Sequence, residues 1–207
     1  MPFDTRNPRL YLASRSPRRH ELLAQMGIKC DSLFFRGTSR RDDDVDETAR
    51  EGETPAGYVE RLARVKAEHG WSIVDLRRLA PRLVLAADTT VELDGEIIGK
   101  PADAVAAQDT LRRLSDRTHR VLTAVALAFE NRIESLVSVS EVSFGTLGDA
   151  DIRRYVSSGE PMDKAGAYGI QGRAGLFVKH LSGSYSGVMG LPLYETALLL
   201  RDFGFPV

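Results

Sequence analysis

Apolar and polar positions follow two rhythms along the chain. Short unbroken apolar runs, "LYLA" at Leu10–Ala13 and "LVLAA" at Leu83–Ala87, read as buried strands, because a strand covered on both faces shows no alternation. Elsewhere apolar residues recur at spacings of three and four, the mark of a helix with one buried face. Pro17–Met26 is the first such helix, with Ser16 as N-cap, Pro17 at the first helical position and Gly27 as the stop. Thr54 and Pro55 repeat this start. Val59, Leu62, Ala63 and Val65 then place a second helix over Ala56–His69, before Gly70. The following "WSIVDLRRLAPR" is long for a connection and would lengthen a surface helix.

The same reading extends to the C-terminus. Cys30–Phe35 is a strand, followed by a charge-dense loop, "RGTSRRDDDVDETAREGE". "RLVLAADTTVELDGEIIG" is a β-hairpin turning at Asp94-Gly95 with type I′ geometry. Asp103 caps a helix through Leu114, and two long strands meet near Glu130-Asn131. Asp149–Ser158 is a short helix, "DKAGAYGIQGRAG" a glycine-rich loop, Leu176–Leu181 a strand and Pro192–Asp202 a closing helix. Hairpins and crossovers together predict an α/β protein with a mixed β-sheet flanked by helices, not a purely parallel doubly wound sheet.

Composition narrows the classes. At 207 residues the chain suits one domain or one domain with two lobes. Lys and Arg number 28 against 29 Asp and Glu, so no global basic field calls for nucleic acid, and an anion site must be local. The N-terminal region has too short an apolar run for a membrane span, and Cys30, the single cysteine, suits a reducing cytoplasm.

Two places break local rules. Free N–H groups and the helix dipole already make the start of the first helix electropositive, yet Arg18 and Arg19 fall in its first turn beside Ser14 and Ser16. That set is a cradle for a multiply charged anion, phosphate above all; the alternative is two arginines reaching outward to surface carboxylates. Asp88 lies within or at the end of a strand, where aspartate is depleted and must be paired, bind a metal or face a cleft. Its other reading is an ordinary edge position.

Other candidates are bland by themselves. The run Asp42, Asp43, Asp44, Asp46, Glu47 reads as a solvated loop, and Lys66 and Lys100 as surface lysines. "GEIIGKP" fails as a P-loop: one residue is missing between its glycines, and Pro101 stands where a magnesium-binding hydroxyl should be. Gly166, Gly169 and Gly172 lack the dinucleotide-binding spacing, but they permit close approach of a ligand, and the Gln171 amide could read a base edge. The four histidines have no zinc-ligand spacing, and no G-x-S-x-G elbow occurs.

Taken in order, "LASRSPRRHELL", "VDE", "YVERLARVKA", "ADTTVELDGEIIGKP", "YVSSGEPMDKAGAYGIQG" and "GLPLYET" resemble the Maf family of nucleoside triphosphate pyrophosphatases over nearly the whole chain. The resemblance implies one domain over residues 1–207, with two lobes around a central nucleotide-binding cleft of the Maf/ITPase-like kind. It implies hydrolysis of a nucleoside triphosphate, most similar to the dTTP and UTP subgroup, to monophosphate and pyrophosphate with Mg²⁺ or Mn²⁺. Residue by residue, it makes Asp88 catalytic and a metal ligand, and Glu47 a second metal ligand. Ser14, Arg18, Arg19, Lys66, Thr89, Lys100 and Gln171 become substrate-binding residues. A flipped Gln171 amide would serve cytosine as well as uracil, so this residue alone does not set specificity. Alternatives are a pyrophosphatase for 7-methyl-GTP or other modified nucleotides, and a non-catalytic nucleotide-binding regulator of cell division. The expected protein is cytoplasmic, engages neither nucleic acid nor membrane, and could form a homodimer.

Overall fold

The computed structural model describes residues 8–33 and 45–207. Seven strands form one sheet: β1 (Arg9–Leu12), β2 (Lys29–Ser32), β3 (Val84–Leu93), β4 (Glu96–Ile98), β5 (Thr118–Phe129), β6 (Arg132–Phe144) and β7 (Val178–Ser182). Their order is β2-β1-β3-β5-β6-β7, with β4 added to β3. β1 pairs in parallel with β2 and β3, and all other pairs are antiparallel. The mixed sheet is as expected.

Helices cover it on both sides. α1 (Pro17–Gln25) and α6 (Leu193–Asp202) bury Leu22, Leu23, Leu199 and Leu200 against Leu10, Leu12, Leu85 and Leu127. α2 (Pro55–Leu76) lies on the opposite face, over Val84, Ala86, Ala124 and Ala126. Alanine across β3 and β5 lets the helix come close. At Gly70 it comes closest: an added Cβ would lie 2.7 Å from Cγ1 of Val84. Gly70 is therefore a packing residue in mid-helix and not the expected stop. Burial of Ile73 and Val74 beyond it offsets the propensity cost of glycine and carries α2 through the long segment.

A second lobe surrounds the far half of β3 with α3 (Ala104–Leu114) and α4 (Asp149–Val156). Its centre is a set of edge-to-face rings: His119 with Phe144 at 5.0 Å, His119 with Tyr168 at 5.4 Å, and Phe144 with Tyr168 at 4.9 Å. The β3–β4 turn has Asp94 at φ 55° and Gly95 at φ 86°, the type I′ geometry read from the sequence. Asp103 caps α3 through the Ala106 N–H at 2.8 Å, also as read.

Some boundaries differ. β2 runs only to Ser32: Leu33 already lies beyond the strand, and Phe34 and Phe35 of the expected continuation fall outside the described residues. The glycine-rich loop winds into 3₁₀ turns, and a short helix, α5 (Tyr185–Met189), was not expected.

One feature of β3 places the site. β1 pairs only with its first residues, Val84 and Leu85, while β4 takes the same edge from Val91 to Leu93. On the other edge β5 pairs continuously from Val84 to Glu92. Among the described residues no strand covers the first edge over 86–90, and there the two lobes part.

Candidate active site

Asp88 sits in the middle of that open edge and is 9% exposed. Successive strand residues face opposite ways. Asp88 shares its face with Val84 and Ala86, under α2, whereas Thr89 faces the side of α1 and α5. The cleft over the gap is lined by Ser14, Arg18, Arg19, Lys66, Asp88, Thr89, Lys100 and Gln171. All the residues expected to bind substrate are thus brought together from five separate segments.

On the α2 side, Lys66 reaches down from the helix to donate to Oδ1 of Asp88 at 2.8 Å and to Oε1 of Glu47 at 2.5 Å. Burial works against charge on Lys66, but Asp88 and Glu47 outweigh it and raise its pKa above the ordinary lysine value. Burial also opposes ionisation of Glu47; the charge and hydrogen bond of Lys66, helped by Lys100 and Arg19, prevail and lower its pKa. Two carboxylates and an ammonium thus form one charged group, with Asp88 and Lys66 in the cleft lining and the more exposed Glu47 joined to them through Lys66. Asp46 instead turns away to the Thr48 N–H at 2.9 Å, and Asp42, Asp43 and Asp44 lie outside the described residues.

On the α1 side, Arg19 is fixed from three directions. Its Nε donates to the Gly190 carbonyl at 2.8 Å, Nη1 to Oγ of Ser14 at 3.0 Å, and Nη2 approaches Oγ1 of Thr89 at 3.5 Å. Thr123 holds Thr89 by a 3.0 Å hydroxyl contact and donates to the Gly187 carbonyl at 2.7 Å. Arg18 points across the cleft to Asp163 at 3.6 Å. The outward-facing alternative for the two arginines therefore fails for Arg19 and describes Arg18 only as a bridge between the walls.

Ser16 occupies the N-cap position of α1, but its side chain makes no capping bond, and its own N–H donates to Oγ of Ser14 at 3.1 Å. α2 and α3, by contrast, are capped by Thr54 and Asp103. Although α1 begins with a serine able to cap it, its end at the cleft is left without a side-chain cap, which keeps its N–H groups available to an anion.

The model of the family described as Maf-like protein matches residues 9–203. The chain belongs to the Maf family. A relative in Dechloromonas aromatica (strain RCB) named dTTP/UTP pyrophosphatase is 61% identical over 197 residues, covering 95% of this chain and 98% of its own. Another protein of that name, in Aromatoleum aromaticum (strain DSM 19018 / LMG 30748 / EbN1), is 60% identical over 96% of this chain and 97% of its own. A third, in Chromobacterium violaceum, is 53% identical over 98% of each chain. Among solved structures, that of the Staphylococcus aureus Ham1 protein aligns with TM-score 0.46 and 15% identity, over 94% of this chain and 97% of that one.

The Maf motifs account for the charged residues but not for what holds them. The Gly190 carbonyl, in a left-handed turn at φ 114°, and Thr123 were not foreseen, since a backbone oxygen and a strand threonine carry no sequence signal of their own. Tyr168, Asp163 and Lys164 also line the cleft. Lys164 donates to Oδ1 of Asp163 at 2.6 Å; although burial opposes it, this contact and the Arg18 charge hold the Asp163 pKa below the ordinary aspartate value.

Proposed function

We propose that this chain hydrolyses nucleoside triphosphates, dTTP and UTP foremost, to the monophosphate and pyrophosphate. The observation that carries the reading is the clustering of Asp88, Glu47 and Lys66 on the open edge of β3, beside an uncapped helix end bearing Arg18 and Arg19. The triphosphate lies against the N-terminus of α1. Arg19, Arg18, Lys66 and Lys100 neutralise charge that builds up on the departing pyrophosphate. Ser14 and Thr89 orient Arg19. Gln171, exposed at the glycine-rich wall, meets the base.

Water attacks the α-phosphorus, the bond to the bridging oxygen breaks to release pyrophosphate, and Asp88 takes the water's proton. Mg²⁺ or Mn²⁺ is compatible with the donors present. Glu47 and Asp88 both contact one lysine nitrogen, so their oxygens can converge on one ion. Among the described residues no group of three or more such ligands occurs, so phosphate oxygens and water would complete the shell, as is usual for magnesium. When bound, the ion supplies Lewis-acid polarisation and a more acidic water.

The same reading takes residues 1–207 as one domain, supported by the packing of Leu10 with Phe205 in one core. It also takes the protein as cytoplasmic and able to form a homodimer, which light scattering of the pure protein tests. Among the described residues no helix is long and apolar enough to cross a membrane.

The test is incubation with dTTP, UTP, CTP, GTP and 7-methyl-GTP, with and without Mn²⁺, with products resolved. Monophosphate plus pyrophosphate from dTTP and UTP is expected. Diphosphate plus phosphate, preference for 7-methyl-GTP, or binding without turnover would each overturn it.

A further inference from the structure

Gln171 occupies a corner of a tight turn: the Gly172 N–H donates to the Gly169 carbonyl at 3.0 Å, placing Ile170 and Gln171 between them. Both ends of the segment 169–173 are tied to one side chain. The Arg173 N–H donates to Oε2 of Glu160 at 3.2 Å. At the other end, the Gly169 N–H donates to the Tyr155 hydroxyl at 3.2 Å, which itself donates to Oε1 of Glu160 at 3.1 Å. Gln171 is the midpoint of a loop whose two ends are fixed through the same carboxylate.

The surroundings are shaped to this contact. A Cβ at Gly172 would lie 2.1 Å from Oε1 of Glu160, so a side chain there would displace the carboxylate from the turn. A Cβ at Gly169 would lie 2.7 Å from Cε of Lys164, whose amine donates to the Glu160 carbonyl at 2.6 Å. Tyr155 is anchored on the lobe core by an edge-to-face contact with Phe177 at 5.2 Å, and burial pushes its phenol above the ordinary tyrosine value, keeping it a neutral donor. A carboxylate accepting from both a hydroxyl and an amide is a strong brace, because charge-assisted hydrogen bonds are roughly twice as strong as neutral ones.

We propose that Glu160, acting with Tyr155, is a positioning residue that fixes the turn presenting Gln171 and thereby sets the base preference of the site. The proposal rests on the base-reading role given to Gln171 above. Neither residue touches substrate; each acts through the backbone on either side of the glutamine. A base reader on an unbraced turn would sample several poses, and a flipped amide would accept cytosine as readily as uracil. Fixing the turn leaves the amide free to rotate about its own bond, but it sets the distance and direction of approach, so that a base whose edge matches that approach is bound best.

The test compares kcat and KM for UTP and CTP in the wild type, Glu160→Ala, Glu160→Gln and Tyr155→Phe, with amide hydrogen exchange read at Gly169 and Arg173. Glu160→Ala is expected to lower the UTP-to-CTP ratio of kcat/KM about tenfold, through KM for UTP, with kcat changed less than about threefold. Glu160→Gln keeps one acceptor oxygen for the Arg173 N–H but puts an NH2 donor where the Tyr155 hydroxyl donates, so it should restore the ratio in part. Tyr155→Phe retains the ring packing and loses only the hydroxyl; it should move the ratio in the same direction by less and secure the test if Glu160→Ala does not fold. Exchange at Gly169 should quicken in both Tyr155→Phe and Glu160→Ala.

Equal losses for UTP and CTP, an unchanged ratio, or unchanged exchange would overturn the proposal. Failure of the wild type to release pyrophosphate from UTP would instead overturn the hydrolysis reading. An unchanged ratio in Gln171→Ala would remove the base-reading role, and with it the specificity claim, while the exchange measurement still decides whether Glu160 braces the turn.

Discussion

The two walls of the cleft are built on opposite plans. The phosphate wall consists of side chains from α1, α2 and β3 that meet across space, and its order comes from opposite charges in contact, Lys66 between Glu47 and Asp88. The glycine-rich wall is mostly backbone, ordered by hydrogen bonds from peptide N–H groups to Tyr155 and Glu160. A polyanion is recognised by charge at fixed points and tolerates modest shifts of each. A base is recognised by hydrogen-bond direction, which needs a peptide held at a set angle. The lesson is that electrostatic and directional recognition ask different things of a fold, and on the proposed reading this one divides them between its lobes.

The sharpest way to break the phosphate wall is Asp88→Asn. Glu47 still pairs with Lys66, so the fold should persist, while kcat falls about 10³-fold on every nucleotide. Circular dichroism beside steady-state rates checks this, and an active, folded variant would remove Asp88 from the chemistry.

Arg19→Ala comes next. A loss of about 10²-fold in kcat/KM is expected, shared by UTP and CTP because the proposed contact is to phosphate. Arg19→Lys should recover little, since an ammonium cannot reach Ser14, Thr89 and the Gly190 carbonyl together. A change in base preference would mean that the walls are not separate in function.

Gly70→Ala acts on the support of the phosphate wall. The added methyl meets Val84 at 2.7 Å and should cost about 2 kcal/mol of stability, read as a lower urea midpoint.

The smallest effect separates the walls by pH. His119, beneath the glycine-rich wall, bonds the Tyr168 hydroxyl at 2.8 Å, and burial pushes it from 6.5 down to about 4. Between those values the unfolded chain holds a proton that the folded chain does not, so stability falls as pH drops through that window. Glu47 is lowered from 4.5, so its contribution is full above that value and is lost only as pH falls through the lower, folded one. Moving from pH 7 to pH 5.5 should therefore cost about 1 kcal/mol through His119 alone. In His119→Gln that increment should vanish from denaturation midpoints measured at the two pH values.

How much of this was legible in the sequence follows the same division. Arg18, Arg19 and Asp88 stood out because each broke a local preference, and the hairpin turn was readable because Asp94-Gly95 has few other uses. Glu47, Lys66 and Lys100 carry no such signal and were picked out only by resemblance, for a lysine looks the same on a surface and in a site. Gly70 misled: in one dimension a glycine after an apolar stripe is a stop, and only the approach of Val84 shows it to be a contact. The brace at Glu160 was unreadable because its partners are peptide groups, which every residue has. A sheet edge left open over 86–90 depends on where two other strands end, and no local pattern records that.

That open edge has a mechanical consequence. β3 runs unbroken beneath both walls and is paired to β5 along nearly its whole length, so the floor has no hinge. Any closure on a nucleotide must come from the walls moving over a stationary Asp88, with the Arg18–Asp163 contact, one residue from each side, already spanning the gap. The cleft is a vice with a fixed bed, and Asp88 is mounted on the bed.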